Sequence, residues 1–217
     1  LYKKKKIIGI ILARSKSKRL KDKNILNIKG KPLFYWTVQA AKKSKYIDDI
    51  IISTDDKRII NYTKKLSYLK TLNRPKGLRG DKVKSEQVVS NLISKKDFLS
   101  DIIIVLQPTS PLRKSFDIDN SIKKMVNKNE HFIISACYRK KNYKNMIEVK
   151  KGFFNKFKKK KSGYALNGAI YGATTKYFKR TRSFFTRKTI IFTMPPSRSI
   201  DIDTIEDFNL AKKKFKN

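Results

Sequence analysis

The 217-residue chain carries 54 Lys plus Arg against 17 Asp plus Glu, a formal net charge of +37, with one His and one Cys. That length suits a single domain with its own core, a lone Cys excludes a disulfide framework, and one Cys with one His leaves no basis for a zinc finger. Hydrophobic content of 39% and aromatic content of 11% exclude a disordered chain, even with 33% charged residues.

Lys is spread over almost every segment and travels with Ile and Asn, so the charge reads as composition bias rather than a polynucleotide-binding surface. Either way it attracts anions. Lys3 to Lys6 followed by an apolar run imitates a signal peptide, but Arg14 and Lys16 stand where small cleavage-site residues belong. No stretch approaches the roughly 20 apolar residues of a membrane span. The expectation is a soluble cytoplasmic protein without a membrane partner.

In chain order, apolar runs rich in β-branched residues predict strands at 6–12, 49–53, 101–106 and 132–137. Their continuous hydrophobicity suits strands covered on both faces. Between them, Pro32 opens a helix with Leu33, Trp36, Thr37, Ala40 and Ala41 on one face. Asp55 or Asp56 caps the next helix, and 85–93 and 116–126 read similarly. The βαβα order predicts a doubly wound, mostly parallel α/β sheet with ligands at the carboxyl ends of its strands. A Lys-rich aromatic stretch at 138–164 reads as part of an excursion, spanning about 138–188, from one domain covering 1–217. Strands are expected again at 168–173 and 189–194, then a closing helix at 204–215 with Thr204 as cap and Asp207 at its third position.

Three segments carry candidate chemistry. The loop 13–24, ARSKSKRLKDKN, offers Arg14, Lys18 and Lys23 at the end of the first strand, able to wrap a triphosphate or to stand as a solvated charge run. It lacks the Walker glycine framework. LQPTSPLR, at 106–113, presents Gln107, Thr109 and Ser110 as neutral hydrogen-bonding groups beside two prolines. In RSIDIDTIEDF, at 198–208, Asp201 and Asp203 are two apart, so an extended backbone sends both carboxylates to the same side. Such a pair suits magnesium when phosphates complete its shell, although one of them could instead cap the following helix. His131 and Cys137 read as structural.

Taken in order, ILAR with the SK and KN of its loop, GKPL at 30–33, STD at 53–55, RP at 74–75, QPTSPLR at 107–113, NGAIY at 167–171 and SIDID at 199–203 resemble the CMP-sialic acid synthetases, or acylneuraminate cytidylyltransferases. The resemblance implies a nucleotide-binding α/β core, which transfers CMP from CTP to the anomeric hydroxyl of a nonulosonic acid and releases pyrophosphate. It implies that Arg14, Lys18 and Lys23 hold the triphosphate, that Asn24, Arg74 and Ser85 contact the nucleotide, and that Asp201 and Asp203 hold Mg2+. Arg14, Lys23 and Asp203 thereby become the catalytic set. Gln107, Asn167, Tyr171, Phe184 and Phe185 line the sugar pocket in this reading, with Lys144 reaching the sugar carboxylate across a homodimer interface.

The chain departs from the resemblance where Lys16 and Arg19 replace loop glycines and Ala165 replaces an arginine. The implied sugar is N-acetylneuraminic acid or a close analogue, with legionaminic acid as the alternative; the pseudaminic and Kdo branches fit less well. A rival of another class is a non-catalytic nucleic-acid-binding protein on a transferase-like fold.

Overall fold

A computed structural model describes residues 1–140, 145–159 and 162–216. Along the chain run β1 (Ile7–Ala13), a short hairpin of β2 (Asn27–Ile28) and β3 (Lys31–Pro32), α1 (Leu33–Lys42), β4 (Asp49–Thr54), α2 (Lys57–Thr63) and β5 (Leu69–Asn73). Then follow α3 (Ser85–Ile93), β6 (Ile102–Leu106), α4 (Ser115–Asn127), β7 (Phe132–Arg139), β8 (Met146–Lys150) and β9 (Phe153–Phe157). β10 (Gly163–Thr174), α5 (Thr175–Thr181), β11 (Thr189–Thr193) and α6 (Ile205–Lys216) complete it.

The main sheet has nine strands in the order β5-β4-β1-β6-β10-β7-β11-β9-β8. The first four are mutually parallel, joined by helical crossovers. Along β6, Ile102, Ile104 and Leu106 enter one apolar layer, while Ile103 and Val105 enter the other. That alternation into two dry faces explains the unbroken hydrophobic runs.

The second half corrects the expectation of a mostly parallel sheet. β10 lies between β6 and β7 and is antiparallel to both. It is reached from β7 through the β8–β9 hairpin rather than through a crossover helix, and such a return reverses the strand. β8 also pairs with β10, so this end of the sheet curls back on itself. The expected excursion at 138–188 therefore narrows: β10 is central, and β8 and β9 extend the same sheet.

Helix starts follow local chemistry. Asp56 caps α2 by accepting the Arg58 amide at 2.9 Å. Before α6, Thr204 and Asp207 bond reciprocally, Thr204 N to Asp207 Oδ2 at 2.9 Å and Asp207 N to Thr204 Oγ1 at 3.3 Å. His131 stacks on Tyr177 at 3.6 Å where β7 begins, and Cys137 is fully buried.

Candidate active site

Pairing of β1 with β6 sets Ile11 opposite Leu106, so the basic loop and the QPTSPLR segment leave the sheet side by side. The acidic segment after β11 arrives at the same edge, where the Ile202 amide donates to Thr109 O at 2.8 Å. Ile202 is fully buried in a third apolar cluster with Leu112 and Phe208. Of its flanking residues, Asp201 lies against Gly168 and Asp203 meets Lys23 and Arg19.

The basic loop is pinned at several points. Ser15 donates to Asp55 from its amide at 2.8 Å and from its hydroxyl at 2.5 Å. Arg58 grips Asp22 at 2.8 and 3.1 Å, and Asp56 at 2.8 and 3.0 Å. Asn24 Nδ2 donates to Arg14 O at 2.9 Å. Lys16, standing where the resembled loop has glycine, takes that left-handed conformation with φ 48°. A lysine there carries a cost of about 1–2 kcal/mol, and Arg14 Nη1 supports the turn by donating to Lys16 O at 3.2 Å.

Lys23 joins the two chemistry-bearing segments directly. Its ammonium donates to Ile202 O at 2.8 Å and to Asp203 Oδ1 at 3.0 Å, and Arg19 meets Asp203 Oδ2 at 2.7 Å. A cleft of about 430 Å³ opens there, and Arg14, Lys18, Lys23, Asn24, Arg74, Ser85 and Gln107 all line it. Gln107 Nε2 donates to Ser85 Oγ at 3.2 Å. Arg74 is nearly buried and donates to Ser53 O at 3.0 Å; burial pulls its guanidinium down to about 10.

Gly168 explains why NG and DID occur together. Its φ is +71°, and a Cβ there would stand 3.1–3.3 Å from the Asp201 carboxylate. Only glycine accepts both the backbone angle and that approach. Burial, reinforced by Asp203, pushes the Asp201 carboxyl up to about 6, against a hydrogen bond from Thr109 and the charge of Lys23. Burial, with Asp201 and Glu86 nearby, pushes the Tyr171 phenol above its ordinary range.

A cytidylyltransferase family profile matches residues 8–215. The chain belongs to that family. This cytidylyltransferase is 32% identical to the CMP-N,N'-diacetyllegionaminic acid synthase of Legionella pneumophila, over 96% of this chain and 95% of the relative. It is 27% identical to a pseudaminic acid cytidylyltransferase of Campylobacter jejuni, over 97% of both. An N-acylneuraminate cytidylyltransferase of Streptococcus agalactiae is 33% identical over 94% of this chain, which spans 52% of that relative's length. These relatives set the chain among the CMP-nonulosonate synthetases, and a pseudaminic acid enzyme is one of them. In fold it resembles a CMP:2-keto-3-deoxy-manno-octonic acid synthetase solved with CTP, at a TM-score of 0.79 and 16% identity, covering 97% of this chain and 98% of that one.

In this cytidylyltransferase two expected pocket residues are enclosed. Asn167 is fully buried, accepting from Ser135 Oγ at 2.6 Å and donating to Ser199 Oγ at 2.9 Å. It braces the bulge of β10, where the register shifts between Leu166 and Tyr171. Phe184 is 2% exposed against Phe178, their centroids 4.5 Å apart. Phe185 instead joins Phe157 beside a second, open pocket with Glu86 and Arg182. Lys144 lies outside the described residues.

Other roles surfaced only in three dimensions. Arg113 is buried and ties β6 to β10, its Nη1 donating to Ala169 O at 2.7 Å and Gln107 O at 3.3 Å. Asp55 and Arg58 hold the loop, and Asp81 reaches into the cleft. Their partners are distant in sequence, so no local spacing marked them. Among the described residues no group of three or more His, Cys, Asp or Glu could hold a metal alone. Asp201 and Asp203 still fit magnesium in the chemistry of their donors, since both offer hard carboxylate oxygens. No described helix is long and apolar enough to cross a membrane.

Proposed function

We propose that the chain transfers CMP from CTP to the anomeric hydroxyl of a nonulosonic acid, N-acetylneuraminic acid or an analogue of legionaminic or pseudaminic type. The observation that carries this reading is the Lys23 bridge, which fastens the cationic loop to the acidic segment at Ile202 and Asp203, beside the cleft that Lys23 lines. The sugar hydroxyl forms a bond to the α-phosphorus while the bond from that phosphorus to the oxygen bridging to the β-phosphate breaks; pyrophosphate leaves, and the hydroxyl proton passes to solvent water. Little covalent work falls to the protein, so positioning and charge neutralisation carry the rate.

Arg14 and Lys23 neutralise the departing pyrophosphate, Lys18 helps to bind the triphosphate, and Ser85 with Gln107 orients the nucleotide. Asp201 and Asp203 would hold Mg2+, which when bound supplies charge stabilisation at the phosphate oxygens. Tyr171 and Phe185 face the sugar.

The test is pyrophosphate release from CTP, magnesium and a panel of nonulosonic acids. Release that requires all three is expected, and the preferred acid names the substrate. Absence of release with every acid would overturn the reading. We further propose a homodimer, which sedimentation velocity checks.

A further inference from the structure

Asp81 stands on a turn between two anchored points. Before it, Arg79 Nε donates to Arg74 O at 2.8 Å, and the Arg74 amide is bonded to Thr54 O at 2.8 Å. After it, the Lys84 amide is held by Gln87 Oε1 at 2.8 Å. Asp81 itself lies in neither a helix nor a strand. Yet its carboxylate enters the cleft with one oxygen on Arg14 Nη2 and the other on Lys18 Nζ, the latter at 3.3 Å. A carboxylate bracketed by a guanidinium and an ammonium occupies the place of a phosphate oxygen, because both cations donate charge-assisted bonds to either anion.

We propose that Asp81 is a built-in stand-in for phosphate: it fills an anion subsite between Arg14 and Lys18 in the nucleotide-free cleft, and the polyphosphate chain of the nucleotide displaces it. This rests on the reading of the cleft as a CTP site. The contact is autoinhibitory, since apparent affinity falls by the fraction of molecules whose subsite is open. It also selects for charge. A monoanion competes poorly with a carboxylate tethered at high local concentration, whereas a polyphosphate reaches Lys23 and Arg19 in the same cleft and pulls the balance over.

Titration calorimetry on the full chain, with tripolyphosphate and separately with CTP, compares the wild type with Asp81→Asn and Asp81→Glu. Asp81→Asn is expected to bind both ligands about 3- to 10-fold more tightly and with a steeper salt dependence, because two cations lose their partner. Asp81→Glu, which keeps the charge, is expected to stay within about twofold of the wild type. Unchanged or weaker binding by Asp81→Asn, with its circular dichroism intact, would overturn the proposal. If Asp81→Asn misfolds, Asp81→Ser takes its place under the same criteria. Tightened tripolyphosphate binding in a chain that ignores CTP would sink the proposed function and leave the stand-in; CTP binding indifferent to Asp81→Asn would do the reverse.

Discussion

At the far end of the basic loop the Lys23 side chain is 13% exposed and reaches both a backbone carbonyl at 2.8 Å and Asp203 at 3.0 Å. At the near end Lys18 is 82% exposed and holds Asp81 at 3.3 Å. Both are lysines that line one cleft and meet an aspartate, yet their surroundings separate their roles. Lys23 is fixed before any ligand arrives, because shielding from water strengthens its bonds and its partners sit on a segment braced by Ile202. Lys18 keeps its freedom and must lose it on binding. The same charge is therefore preorganised at one end of the loop and adaptable at the other.

Removing the anchor at the fixed end should cost most. Asp203→Ala takes away a proposed metal ligand and leaves the ammonium of Lys23 without its carboxylate. Pyrophosphate release should fall at least about 100-fold, corresponding to about 2.7 kcal/mol in barrier, while circular dichroism stays native. Near-normal release would remove Asp203 from the metal assignment. Next comes Lys23→Ala, which deletes a charged hydrogen-bonding group worth about 1.5–3 kcal/mol. A fall in kcat/KM of about 10- to 150-fold is expected; unchanged kinetics would show that preorganisation at this end carries no rate.

How far these features could be read from residues alone differs along the chain. The parallel strands were visible because β1 and β6 are unbroken apolar runs, and Thr204 with Asp207 announced its cap by spacing alone. Strand direction in the second half was not visible. The run 168–173 has the same hydrophobicity whichever way it points, and only its connection through a hairpin reverses it. Strand β9 reads FFNKF and joins a Lys-rich stretch, so charge hid its pairing. In the cleft, cations near β1 could be picked out, but Asp81 could not, since a lone acid in a loop carries no periodicity. Asn167 misled for a different reason: an Asn-Gly pair at a strand bulge serves backbone geometry as well as it serves a ligand.

Gly168→Ala tests whether the fixed end depends on that bulge. The added methyl would meet the Asp201 carboxylate at about 3.1 Å and sits at φ +71°. The strain is about 1–2 kcal/mol, which should lower the melting temperature by about 2–8 °C. Activity should fall further than stability explains, because relief of the clash moves Asp201. A variant with wild-type kcat would show that the acidic couplet tolerates displacement.

The smallest effect belongs to the exposed end. Lys18→Ala removes a solvated cation whose visible partner is a single carboxylate, and exposed pairs of this kind contribute little. The expected change is a rise in KM for CTP of about two- to fivefold with kcat unaltered. That rise should fade as salt is added, because Lys18 acts through water, whereas the loss in Lys23→Ala should persist, because protein shields its contacts from counterions. Measuring both variants at low and high ionic strength therefore separates the two ends by a criterion independent of their absolute rates. If the Lys18→Ala defect proved as salt-resistant as that of Lys23→Ala, the nucleotide would have to bury both lysines equally. The contrast in exposure would then describe only the ligand-free cleft.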